Sequence, residues 1–124
     1  MRKLFFAMLI ALSSPAFGEW RLIETNKNGD SIYYDPVTLA RDGALVRVSM
    51  MSDLHDVNIV GRLSYRTQHE FDCQAPRHRI TRTESYSTHL AIGKALDSDS
   101  DPKDWSEYHP GSLYERERNI FCGK

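Results

Sequence analysis

The sequence predicts an α+β fold: a single twisted antiparallel sheet of about five or six strands with a short C-terminal helix, closed by one disulfide. Three observations carry this reading. Residues 63–73 alternate in polarity with a period of two, the mark of a half-buried strand. The β-rich segments around it are punctuated by Asn-Gly and Asp-Gly turns. Only near the end, from residue 113, are apolar side chains spaced as on a helix.

The first eighteen residues stand apart from this pattern. Arg2 and Lys3 precede an uncharged apolar run, Leu4 to Leu12, and then Ala16-Phe17-Gly18. A basic start, a short apolar stretch and a small-x-small end form a secretion signal. The run is too short to cross a bilayer, which takes about 20 residues. The expected organisation is a signal peptide over 1–18 and one domain over 19–124, with no transmembrane segment after cleavage. No cysteine follows the small residues, so a lipid anchor on cysteine is not indicated. Export to the periplasm, the cell surface or the medium follows. Removing Arg2 and Lys3 from 16 basic residues leaves 14 against 17 acidic ones, a net charge of −3. That balance argues against nucleic acid as a partner.

Within 19–124, Trp20 to Glu24 reads as a first strand and Asn26–Asp30 as a turn. Ser31–Tyr34 completes a hairpin. Asp35-Pro36 reads as the cap and first position of a short helical turn. Asp42-Gly43 marks another turn, and Leu45–Met51 is a nearly continuous strand. A polar connection over 53–62 leads to the alternating strand. There Leu63, Tyr65, Thr67, His69, Phe71 and Cys73 share one face, and Ser64, Arg66, Gln68, Glu70 and Asp72 share the other. Gln74-Ala75-Pro76 turns the chain into a return strand over 77–89. The stretch from Gly93 through Asp97–Pro102 reads as a solvated loop, and Trp105 as an isolated anchor that buries its ring. Ser112 is placed to cap a final helix, with Glu115 at the capping-box position.

Cys73 and Cys122 are the two cysteines. In an oxidising compartment such a pair joins. Closing a loop of about 50 residues stabilises by roughly 4 kcal/mol in the chain-entropy model. There is no Cys-x-x-Cys spacing to indicate redox chemistry.

The ordered set of residues resembles the surface-adhesin protein E family of secreted Gram-negative proteins. The features are Trp20, Tyr33-Tyr34-Asp35-Pro36 with Thr38 and Leu39, and the strand Gly43–Val48. Glu70-Phe71-Asp72-Cys73, Arg79, Gly93, Trp105, Pro110-Gly111-Ser112 and Cys122 complete it. The resemblance implies an antiparallel sheet with a C-terminal helix, exposure outside the inner membrane and no enzymatic activity. For the founding type it implies adhesion to host matrix or serum proteins.

Candidate chemistry is sparse. His55, His69, His78, His89 and His109 form no close pair in sequence, although hairpin pairing can bring His69 near His78. Asp97, Asp99 and Asp101 alternate as in a calcium loop, but the sixth and twelfth positions hold Pro102 and Tyr108 instead of Gly and Glu. No metal and no cofactor is expected. No nucleophile motif, phosphate loop or zinc-protease motif is present. The most binding-like feature is the basic cluster Arg77, His78, Arg79 and Arg82. On a regular strand Arg77 and Arg79 share one face, and His78 and Arg82 the other. It reads either as an anion-binding surface or as a charged sheet face paired with Glu70, Asp72 and Glu84. The expected function is an exported, non-enzymatic module that binds a protein. The partner is a host matrix or serum protein or a bacterial envelope protein, with a homodimer left open. A small-ligand binder for an anion or haem is the third reading.

Overall fold

The alternating strand becomes the centre of one antiparallel sheet in the computed structural model, which describes residues 19–123. The signal peptide expected over 1–18 lies outside the described residues. The strands are β1 (Arg21–Thr25), β2 (Ser31–Asp42), β3 (Leu45–Asp53), β4 (Ser64–Asp72), β5 (Arg77–Tyr86), β6 (Asp97–Asp99) and β7 (Ser106–Glu107). They pair in the order β1-β2-β3-β4-β5-β6, and β7 pairs with the other end of β5. Helix α1 (Leu113–Cys122) closes the fold.

The first hairpin forms as its turn chemistry dictates. Asn26 Oδ1 accepts the backbone N–H groups of Asn28 and Asp30. Gly29 adopts φ 88, and a Cβ there would meet the His55 ring at 3.0 Å, so glycine is needed twice over.

Two local irregularities depart from the strand pattern read in the sequence. Where Asp35-Pro36 predicts a helical turn, β2 continues with a bulge. Asp35 pairs with Ser49 and Ala40 with Arg47, so residues 36–39 oppose Val48 alone. The physical reason is that Asp35 caps an Asx turn: its Oδ1 accepts the Val37 N–H. Thr38 Oγ1 donates to the Asp35 carbonyl and accepts from the Ser49 N–H, which keeps the bulge attached to β3. The second irregularity is in β5. Gln68 pairs with Arg82 but His69 with Ile80, so Thr81 is an extra residue.

The acidic stretch read as a solvated loop also differs, because Asp97–Asp99 pairs with β5 as β6. Aspartate is a poor strand former. Here the Asp97 carboxylate accepts from Arg62 and from Ser85 Oγ, and Asp99 pairs with Lys103 at 2.8 Å.

One face of the sheet carries the core. Val46, Val48, Met50 and Phe71 project from it and pack with Phe121 of α1. The Phe121 ring meets Tyr34 edge-on at 5.1 Å and Phe71 at 5.3 Å. Ser112 caps the helix, its Oγ accepting the Glu115 N–H at 3.3 Å, while Glu115 accepts from the Gly111 N–H. Gly123 ends it in the left-handed region, φ 85. The Cys73–Cys122 disulfide joins the end of β4 to the last turn of α1, with 5.7 Å between the Cα atoms.

Candidate functional site

The side of the sheet opposite α1 carries rows of arginines and carboxylates set by strand register. Arg47 of β3, Glu70 of β4 and Arg79 of β5 are direct cross-strand neighbours. Glu70 is only 5% exposed and receives both arginines: Arg47 Nε donates at 2.7 Å and Arg79 Nε at 2.8 Å. Burial alone would raise the Glu70 carboxyl, but hydrogen bonds from Arg47 and Arg79 outweigh it and hold the group ionised, below its ordinary value. Asp72 repeats the arrangement one step along. Burial pushes it up, and the Gln74 N–H and Arg77, whose Nε donates at 3.0 Å, pull it below the ordinary value.

Trp105 lies against this lattice. The guanidinium carbons of Arg77 and Arg79 sit 4.4 and 4.7 Å from its ring centroid, within cation–π range. Trp105 is half-buried, its ring covered by these two arginines.

The four residues of the basic cluster therefore divide differently from the expectation. Arg77 and Arg79 share the polar face. The Thr81 bulge shifts the period by one and turns Arg82 onto that same face, beside Gln68, instead of onto the face of His78. There Arg82 donates to Glu84 at 2.9 Å and to Ser100 Oγ at 2.6 Å. His78 alone points the other way. It is 7% exposed, stacks on Tyr114 of α1 at 4.0 Å and lies 5.7 Å from His69. Burial lowers the pKa of both imidazoles, that of His69 to about 3.

Two residues that sequence reasoning did not single out complete the polar face. Arg47 shares Glu70 with Arg79, as described. Arg66 pairs with no carboxylate among the described residues, and its guanidinium carbon lies 5.7 Å from the Trp20 ring centroid. Together with Ser49, Gln68, Arg82 and Glu84 it lines a shallow depression of about 240 Å³. The only sequence signal for this grouping was the polar half of the alternation over 64–72. The remaining histidines are dispersed: His55 pairs with Asp56, His89 with Asp53, and His109 is exposed. Among the described residues no three His, Cys, Asp or Glu side chains are grouped to hold a metal ion. What the arrangement offers chemically is directional recognition. Guanidinium forks and carboxylates alternate at fixed strand spacing, with an aromatic platform at each side.

Known proteins share this architecture. The sequence profile of the surface-adhesin protein E family matches residues 20–123. Crystal form II of Haemophilus influenzae protein E superposes with a TM-score of 0.68 at 18% identity, covering 94% of this chain and 97% of that one. The selenomethionine form of the same protein gives 0.67 at 17% identity, covering 91% and 94%. Protein E from non-typeable Haemophilus influenzae gives 0.61 at 18% identity, covering 92% and 83%. Among curated proteins, none matches by sequence. At these identities the superpositions establish the fold, and the profile match across the folded domain establishes the lineage: the chain belongs to the surface-adhesin protein E family.

Proposed function

We propose that the protein is exported by a signal peptide at residues 1–18 and works outside the inner membrane as a non-enzymatic binding module. Its partner is a protein, engaged through the polar sheet face by Arg77, Arg79 and Arg82, with His78 supporting β5 from behind. The observation that carries this reading is the Arg66 depression. It holds two guanidinium groups against the single Glu84 carboxylate, beside the Trp20 ring. A carboxylate on a partner surface would complete that row, and the Arg77–Trp105–Arg79 stack supplies the kind of Arg and Trp anchor that dominates protein interfaces.

The test is binding of the purified protein to matrix and serum proteins in physiological salt, with Arg66→Ala and Arg82→Ala alongside. Saturable binding weakened by both substitutions supports the proposal. Absence of saturable binding to every such protein removes the host-adhesion form. Surface labelling of intact cells locates the domain: protection that is lost only when the outer membrane is ruptured moves the partner to the periplasm.

A further inference from the structure

Among the described residues, the basic side chains outside the strands and α1 are Lys27, Arg62, Lys94 and Lys103. Three of them are tied down. Lys27 sits in the first hairpin turn, where Asn26 Oδ1 accepts from Asn28 and Asp30 and the Asn26 carbonyl accepts from Gly29. Arg62 donates to the Val60 carbonyl, to Ser85 Oγ and to Asp97. Lys103 donates its N–H to the Ile80 carbonyl and its Nζ to Asp99 at 2.8 Å. Lys94, between β5 and β6, is exposed and takes part in no ion pair or hydrogen bond among the described residues. We propose that the Lys94–Ala95 bond is a proteolytic processing site, cut by a protease whose specificity pocket carries a carboxylate for a basic side chain, and that the product is a two-piece protein that keeps its fold.

A protease takes its substrate as an extended chain, so the segment must lift from the domain before it is cut, and the rate follows how often it opens. Lifting here is cheap. No residue from Ser87 to Leu96 is buried, so no core contact is lost. Residues 92–96 have no strand partner, and their ends are fastened by Thr88 Oγ1 on the Ile92 carbonyl and by the Leu96 N–H on the Ser85 carbonyl. Just before them Leu90 and Ala91 are held at φ 63 and 53, a conformation that strains residues other than glycine. Opening relieves both, and the bonds it gives up, Leu90 N–H to Asp53 and Ala91 N–H to Ser64 Oγ, are replaced by water. Opening at Lys27 instead dismantles a turn that fixes the β1–β2 register. In the cut itself water adds across the peptide bond: the C–N bond breaks, Lys94 gains a carboxylate and Ala95 an ammonium group.

The site lies between the bridged cysteines, so residues 19–94 and 95–124 stay covalently joined after one cut. They are also held by contacts that use none of residues 93–95. Asp97–Asp99 pairs with Thr83–Ser85, and Ser106 and Glu107 pair with His78 and Arg77. Phe121 fills the core, and Trp105 stays against Arg77 and Arg79. The cut therefore spares the polar face.

The experiment is limited digestion of the processed, oxidised protein with trypsin, read by mass spectrometry and by gels with and without a thiol reductant. The first product should be one water heavier than the intact chain, run as one band without reductant and as 19–94 and 95–124 with it, and keep the circular dichroism spectrum of the uncut protein. Lys94→Gln should lose this product, and Lys27→Gln should retain it. The inference is overturned if the first cut falls after another basic residue, or if Lys94→Gln is cut at the wild-type rate. Resistance of the native protein to trypsin that digests its reduced, urea-unfolded form overturns it too, as does a cut product that loses its spectrum before reduction. The Arg66→Ala binding assay reports on the polar face alone, so the two proposals fail separately.

Discussion

Glu117 is the residue whose replacement tests the energetics of this fold most directly. It lies in α1 on the side packed against the sheet, is 2% exposed, and its Oε1 has no hydrogen-bond partner. Burial raises its pKa from 4.5 to about 8, with a further push from Glu24 that Arg116 partly offsets. The unfolded chain releases this proton above about pH 4.5, while the folded protein keeps it until about pH 8. Over that interval the unfolded state binds fewer protons, so stability falls as pH rises. At about 1.4 kcal/mol per pH unit the loss between pH 5 and pH 8 approaches 4 kcal/mol as a ceiling, a large part of the stability of an ordinary domain. Glu117→Gln keeps the shape but cannot ionise. It should match the wild type near pH 5 and exceed it by a few kcal/mol at pH 8. Urea unfolding of both proteins across this range measures the difference, and taking the difference cancels the titration of every other group. Parallel curves, with a constant offset from pH 5 to pH 8, would refute the assignment of a neutral buried carboxyl.

His69 should act with the opposite sign. Its imidazole is held neutral by burial, chiefly, and by His78, so the unfolded state gains a proton first and stability falls as pH drops from about 6.5 toward 3. His69→Phe should flatten that acid limb, and an acid limb as steep as the wild type's would contradict it. Glu70→Gln should cost about 1–2 kcal/mol in thermal or urea unfolding, less than a sealed ion pair because Arg47 is half exposed; an unchanged midpoint would show that the pair contributes nothing. Cys73→Ser should lower stability by up to about 4 kcal/mol and leave one titratable thiol at Cys122. Equal melting points with two reactive thiols in the native wild type would rule out the bridge.

The parts of the fold legible in the sequence were those where one local rule acts without competition. The β4 alternation, the Asn26–Asp30 turn and the Ser112 cap each read correctly from neighbours a few residues away. The bulges were not legible, because counting by twos assumes that no residue is extra. Asp35-Pro36 is the instructive case. An Asp side chain accepting an N–H two residues on looks the same at a helix start and in an Asx turn, and only the bond from Ser49 to Thr38, eleven residues away, decides between them. For the candidate site, the sequence placed Arg77, Arg79 and Arg82 near one another but could not supply their partners. Those depend on which residue of β4 faces which of β5, and the Thr81 bulge resets that count midway.

The bridge between residues 73 and 122 has a mechanical consequence. Tension applied between β1 and residue 123 runs along β1, β2, β3 and β4 and then crosses directly between the two sulfurs. The 48 residues between them, which hold β5 and the Arg77–Trp105–Arg79 stack, carry none of the load. Pulled from its ends, the molecule peels from the outer strand β1 inward, lengthens by less than its residue number implies, and keeps that inner segment tied into a covalent ring.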